Sequence, residues 1–339
     1  MKIVFVGISG FPYGRAQINR QYLLALGLAK ANCEVTVICR KGVHTKKDGI
    51  NPNGIVDNIK YFYSSGTTFR PDNSITRNVL KIKGFIVEIR IFYRQNFDIA
   101  IVDTKSILIL FYYRLFSIMF GFKIILSYVE AFSALNNRKK WFYRINDFLF
   151  KKYLHKFIDG LIPISQYLQS SVKNKMIPSF PIPAIVDFNK FNREINEIYS
   201  YFCYCSGPGN IDIIKFLIEA FTLVKASDFS LILVTSGRNS EIRAIRSLID
   251  KSEKSDKIIL KGYMPYDKLV ELLMSSFALL IPMRPILRDI ARFPHKIGEY
   301  TAAKRPIITT NIGEIRRYFK DGENALVADR YEVDLYAAK

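Results

Sequence analysis

Acidic residues are scarce in this chain. Thirty Asp and Glu stand against 50 Lys and Arg, which leaves a formal net charge of +20 and argues for anionic rather than cationic partners. Cysteine is scarce as well. Cys33, Cys39, Cys203 and Cys205 have no zinc-type spacing, which excludes a zinc module, and three of them lie in apolar strand-like runs, as reduced core thiols do. Long hydrophobic runs are missing. The longest, Ile107 to Phe122, is broken by Arg114 and falls short of the roughly 20 apolar residues of a membrane helix. Short repeats and low-complexity tracts are absent, which excludes solenoid and linker-like chains. Met1 opens directly into a strand-like run, so no signal peptide is expected.

What is present is a folded chain: 49% of its 339 residues are hydrophobic, too apolar for disorder and too long for one ordinary core. The charge is uneven. Residues 1–190 carry 28 Lys and Arg against 11 Asp and Glu, or +17, whereas residues 191–339 carry 22 against 19, or +3. An anionic partner, whether nucleic acid, membrane surface or acidic substrate, is therefore expected for the first half.

The first half alternates strand and helix. Apolar runs at Lys2–Val6, Glu34–Cys39, Asp98–Asp103, Lys123–Tyr128 and Gly160–Ile164 read as buried parallel strands. Gln17–Lys30, Ser106–Phe120 and Lys140–His155 carry helical periodicity between them. Pro178-Ser179-Phe180-Pro181-Ile182-Pro183 reads as an extended connector. The pattern then restarts with a strand at Tyr201–Cys205, the turn Ser206-Gly207-Pro208-Gly209, a helix at Ile213–Ala226 and a strand at Ser230–Thr235. Further strands are expected at Lys257–Leu260, Ala278–Ile281 and Pro306–Thr309. The fold class is α/β: two Rossmann-like domains, 1–183 and 184–339, facing each other across a cleft, with ligands at the carboxyl ends of the strands.

One segment carries most of the chemistry. Phe293-Pro294-His295-Lys296-Ile297-Gly298-Glu299-Tyr300 places a cation at the mouth of a short helix and a carboxylate one turn inside. Helix amides and Lys suit phosphate, and a carboxylate accepts from ribose hydroxyls. Pro306-Ile307-Ile308-Thr309 follows as a strand, then Asp321-Gly322-Glu323-Asn324-Ala325-Leu326-Val327 as a turn. In the first half, Gly7-Ile8-Ser9-Gly10-Phe11-Pro12-Tyr13-Gly14-Arg15 joins a strand to a helix that carries Arg20. This loop is neither G-x-G-x-x-G nor a P-loop. Arg40-Lys41 after the second strand argue against a plain NAD site, which wants an acid there.

These segments resemble GT-B glycosyltransferases, in particular the large retaining family 4 (glycosyl transferases group 1), whose members read Lys-x-x-Glu-Tyr-x-Ala-x-x-x-Pro and Asp-Gly-x-Asn-Gly-Leu-Leu at these points. Asp159-Gly160-Leu161-Ile162-Pro163-Ile164-Ser165 and Val186-Asp187-Phe188-Asn189-Lys190-Phe191 extend the resemblance over nearly the whole chain. It implies a sugar transferred from a nucleotide-diphosphate donor to a lipid-linked or oligosaccharide acceptor in bacterial surface polysaccharide assembly. The enzyme would be cytoplasmic and peripheral to the inner face of the membrane. Lys296, Arg284 and Glu130 would be catalytic; Glu299, His295, Gly207, Gly209, Lys215, Gly10 and Gly14 would bind donor; Arg15 and Arg20 would bind acceptor.

No cofactor is expected beyond the nucleotide sugar itself, and no metal, because Asp-x-Asp is absent. The family's first motif acid is Ala291 here, with Asp289 two residues out of register, and its Lys-Gly phosphate clamp is Asp212-Ile213, with Lys215 one turn along as a substitute. The family also leads one to expect about thirty further carboxyl-terminal residues. Arg138-Lys139-Lys140-Trp141-Phe142-Tyr143-Arg144 interleaves base and aromatic, either as an ordinary surface helix or as a contact with anionic lipid. Two other readings stay open: a non-catalytic GT-B scaffold and, less favoured, a basic nucleic-acid-binding protein.

Overall fold

A computed structural model describes residues 1–14, 16–45, 48–130, 141–172, 176–195 and 197–339. The chain divides into two compact units, Met1–Ile185 and Val186–Lys339.

The first unit runs β1 (Lys2–Val6), α1 (Ala16–Lys30), β2 (Glu34–Cys39), β3 (Asn53–Val56), β4 (Ile59–Tyr63), α2 (Ser74–Arg94), β5 (Ile99–Val102), α3 (Ile107–Phe120), β6 (Lys123–Tyr128), α4 (Trp141–Tyr153), β7 (Gly160–Pro163) and α5 (Gln166–Ser170). Its seven strands lie in the order β3-β4-β2-β1-β5-β6-β7. All neighbours are parallel except the β3–β4 hairpin, whose turn residues Asp57 and Asn58 both adopt positive φ. The five strands expected from sequence are present. The hairpin and the 21-residue α2 were not anticipated.

Right-handed crossovers decide which face each helix covers. The chain steps one way from β1 to β2 through α1 and the opposite way from β4 to β5, β5 to β6 and β6 to β7. Thus α2, α3 and α4 share the face opposite α1. Ile18 and Ala25 of α1 join the core formed with β1, β2 and β4. On the other face Phe92, Tyr113, Phe116 and Phe122 pack ring against ring. The proline connector is not free: Phe180 and Ile182 N–H groups donate to Leu161 and Pro163 carbonyls at 2.9 and 3.0 Å, so it continues the sheet edge beside β7.

The second unit contains β8 (Tyr199–Cys205), α6 (Ile211–Leu223), β9 (Ser230–Val234), α7 (Asn239–Asp250), β10 (Ile258–Lys261), α8 (Tyr266–Met274), β11 (Ser276–Ile281), α9 (Leu287–Ile290), α10 (His295–Ala302), β12 (Ile307–Thr310), α11 (Ile315–Tyr318), β13 (Leu326–Ala328) and α12 (Val333–Ala337). Its six strands are all parallel, in the order β10-β9-β8-β11-β12-β13. Each unit is Rossmann-like, as the pattern of buried strands and glycine turns predicts. The Asp321–Val327 turn closes on itself: Gly322 adopts φ +74, and Asp321 Oδ1 accepts from Val327 N–H at 2.7 Å.

Candidate functional site

Strand ends and helix starts meet at the carboxyl edge of the second sheet. β8 ends at Cys205, and residues 206–210 turn directly into α6. A Cβ added at Gly207 or Gly209 would meet nothing within 4 Å, so this turn leaves open space beside the strand end. α10 is fixed against that strand by Tyr300, fully buried, whose hydroxyl accepts from the Cys205 N–H at 3.1 Å. The helix begins at His295 after Pro294, with no side chain capping its first amides.

Side chains from three elements, β8, α8 and α10, converge there. Lys296 interacts with the Cys205 thiol and with Glu299. Burial pushes the Glu299 carboxyl above its usual range, while Lys296 and a hydrogen bond from Tyr266 pull it back. Tyr266, the first residue of α8, is itself pushed up by burial and by Glu299, and Lys190 Nζ lies 5.1 Å from its ring centre. The cluster therefore holds a half-buried carboxylate and a cation at a parallel-sheet carboxyl edge, where phosphate and hydroxyl ligands are received. Tyr266 and Cys205 carry no recognisable sequence signal, and Lys190 stands only within the resemblance at 186–191; spatial convergence singles them out as site residues.

The other expected residues are placed differently. Arg284 is 7% exposed and Asp289 fully buried; Nε and Nη2 of Arg284 donate to the two Asp289 oxygens at 2.8 and 3.2 Å. Only Nη1 is turned outward, 3.7 Å from Asp212 at the start of α6. Asp289 is thus the internal counter-ion of Arg284 and Arg292, which explains an acid out of register with the family motif. Lys215 is exposed and pairs with Glu219 on the outer face of α6 at 3.7 Å, so it does not replace the missing clamp in this conformation.

In the first unit Glu130 follows β6 and is ion-paired with Lys105. Gly10, at φ +108, has Val43 3.0 Å from where a Cβ would stand, and a Cβ on Gly14 would fall 2.6 Å from Ile18. The chain's own packing accounts for both glycines without a ligand. Arg20 departs most from its expected role. It is 1% exposed and donates to the carbonyls of Pro183 and Ile182, pinning α1 to the proline segment. Burial lowers its pKa to about 10. A guanidinium used in this way is not presented to an acceptor. Arg15, with Arg138, Lys139 and Lys140 of the basic-aromatic run, lies outside the described residues.

Comparison with known proteins agrees with this architecture. Residues 201–339 match the family described as Glycosyl transferases group 1. An uncharacterized glycosyltransferase of Methanocaldococcus jannaschii is 27% identical over 184 residues, 53% of this chain and 48% of the relative. The match thus spans about half the length of that curated relative. Among solved structures, the sucrose-phosphate synthase of Thermosynechococcus elongatus superimposes with a TM-score of 0.76 at 14% identity, covering 99% of this chain and 88% of the other. Anabaena HepE, solved in complex with UDP and glucose, gives 0.69 at 14% identity, covering 100% and 88%. The chain has the GT-B fold.

Proposed function

We propose that the chain is a glycosyltransferase that takes a sugar from a nucleotide-diphosphate donor held by the second unit. The observation that carries this reading is the Lys296, Glu299 and Tyr266 cluster at the carboxyl edge of the second sheet, inside the segment that matches the family. Glu299 would accept from ribose hydroxyls. Lys296 would neutralise the diphosphate as it leaves, with the first amides of α10 beside it. Retention of configuration is what the family resemblance implies. With no Asp-x-Asp in the chain, cations rather than a chelated metal would balance the leaving charge, so activity should survive a chelator. HepE was solved with UDP and glucose, which makes UDP the first nucleotide to test. Calorimetric titration of nucleoside diphosphates, then a screen of nucleotide sugars for hydrolysis and transfer, tests the proposal; absence of any nucleotide binding would end it.

The acceptor would be lipid-linked, in surface polysaccharide assembly, with the protein at the inner face of the membrane. No helix among the described residues is long and apolar enough to cross a bilayer. The outer faces of three helices support peripheral attachment. α2 exposes Ile75, Val79, Ile82, Ile86, Ile89 and Tyr93, spaced alternately four and three apart, so they form one stripe. α3 exposes Leu108, Phe111, Leu115 and Ile118 at the same spacing, and α4 exposes Trp141, Ile145 and Phe148. These helices share one sheet face and carry nine Lys and Arg against two acids, of which Glu88 is buried. Apolar stripes flanked by base suit an anionic lipid surface.

A non-catalytic GT-B scaffold is a second reading, favoured by the buried Ala291 at the first motif acid and by Arg284 being held by Asp289. Slow donor hydrolysis separates the two: a scaffold binds nucleotide sugar and leaves it intact.

A further inference from the structure

The first unit contains a concentrated, unpaired cationic recess that the donor cluster does not use. It is a cavity of about 290 Å³ between turns 41–43 and 65–71 and the first two turns of α2. Lys41, Arg70, Arg77 and Lys81 line it, and no acidic residue does. None of the four has an ion-pair partner among the described residues, although Arg40, Lys105 and Arg114 of the same unit are each paired with a carboxylate. A fifth cation stands at the rim: Lys83 Nζ lies 3.2 Å from where a Cβ on Gly66 would be.

The walls are built rather than incidental. A Cβ on Gly42 would fall 2.2 Å from the Phe69 carbonyl oxygen, so only glycine lets the two turns approach. Val43 and His44 N–H groups both donate to the Thr68 carbonyl, at 2.9 and 3.0 Å. Asn73 caps α2 by accepting from Ile75 N–H at 2.8 Å, and the positive end of this helix adds to the field. Ser65, Thr67, Ser74 and Asn78 supply polar groups around the opening. The Lys41 ammonium is pushed down by burial and by the neighbouring charges of Lys81, Arg70 and Arg40. Crowded like charges are costly until an anion enters.

We propose that this recess binds a ligand bearing a phosphate or diphosphate group. The charge is gathered into one small cavity, which matches a compact polyvalent anion better than an extended nucleic-acid backbone. The turns of α2 that carry Arg77 and Lys81 also carry the exposed Ile75 and Val79, so a phosphate attached to a lipid could be received as readily as a free one. Only the identification of that source with an acceptor rests on the transferase reading.

The test is calorimetric titration of pyrophosphate into the full chain and into Arg70→Ala/Arg77→Ala/Lys81→Ala, each with and without UDP, with circular dichroism to verify folding. Pyrophosphate should bind the wild type when UDP is present, and the triple variant should bind on the order of 100-fold more weakly. Arg70→Lys/Arg77→Lys should retain most of the affinity. UDP affinity should be unchanged in the variant, and failure of UDP to bind at all would damage the donor reading alone. Phosphatidylglycerol vesicles then separate the sources. Vesicle binding that pyrophosphate displaces and the variant lacks assigns the pocket to a lipid-borne phosphate; vesicle binding indifferent to both assigns it to a soluble one. Equal pyrophosphate affinity in wild type and triple variant, or none in either, overturns the proposal.

Discussion

Arg284 is locked to Asp289 through a side-chain pair at 2.8 and 3.2 Å, with the Arg284 N–H donating to the same carboxylate at 3.1 Å. Burial and this pairing together decide what the residue can do. A free loop arginine would act on a leaving diphosphate; this one first satisfies a buried acid. Asp289→Ala leaves Arg284 and Arg292 without their counter-ion, and breaking such a pair costs about 3–5 kcal/mol. Chemical denaturation should show that loss, and Arg284→Ala should likewise lower stability before it lowers turnover. An Arg284→Ala protein with wild-type stability and impaired turnover would restore a direct catalytic role.

Glu299 allows stability and binding to be separated. Burial raises its pKa, so its proton is held more tightly in the folded than in the unfolded state. Stability from this group is therefore full below the ordinary glutamate value and is lost as pH rises through the raised one. Glu299→Gln removes that dependence, so at neutral pH the variant should be at least as stable as wild type. It should nevertheless bind nucleotide more weakly, by about 1.5–3 kcal/mol if a charge-assisted hydrogen bond to ribose is lost. Melting curves across a pH series and titration with UDP read the two effects. Unchanged affinity would remove Glu299 from the donor site.

The sequence made strands and glycine turns legible because buried parallel strands read as unbroken apolar runs. Lys2–Val6, Glu34–Cys39 and Lys123–Tyr128 are found with those bounds. α2 inverts the usual pattern: its apolar stripe faces out while Gly84, Glu88 and Phe92 face inward, so its apolar face does not mark the side that meets the sheet. At the site, Lys296 and Glu299 could be read as neighbours on one helix. The partners that set their environment, Tyr266 and Cys205, are 33 and 94 positions from Glu299 and are brought in by the sheet. Arg20 misled because a basic residue on the first helix looks like a ligand contact until its partners, the Pro183 and Ile182 carbonyls, are seen.

Lys296→Ala should lower turnover more than donor affinity, because charge on the leaving diphosphate grows as the glycosidic bond breaks. The prediction is a fall in kcat with a smaller change in the UDP dissociation constant. The Lys296 side chain also touches Cys205, so Lys296→Arg serves as a control that keeps the charge and should recover part of the rate. Full turnover in Lys296→Ala would move the phosphate contact to another cation.

Membrane attachment can be read from the protein's own fluorescence. Trp141 is the sole tryptophan of the chain; it is 71% exposed and lies on the face formed by α2, α3 and α4. Its emission should shift to the blue with phosphatidylglycerol vesicles and not with phosphatidylcholine alone. Two kinds of variant separate the forces involved. Lys81→Glu/Lys83→Glu/Arg90→Glu should weaken binding mainly at low salt, since each base near an anionic surface contributes about 1 kcal/mol, screened within roughly 8 Å at physiological ionic strength. Ile82→Glu/Ile86→Glu/Ile89→Glu should abolish it at every salt concentration, because the stripe itself enters the headgroup layer. Ile55→Glu, equally exposed but on β3, should change nothing. Loss of vesicle binding in Ile55→Glu, or equal binding to neutral and anionic vesicles, would refute this face as the contact. A dimer broken by Ile86→Glu, with no vesicle binding in the wild type, would assign the stripe to a second copy of the chain instead. That outcome is disfavoured because α2 carries five Lys and Arg while its one acid, Glu88, is buried, so a second α2 brings like charge with no exposed acid to offset it.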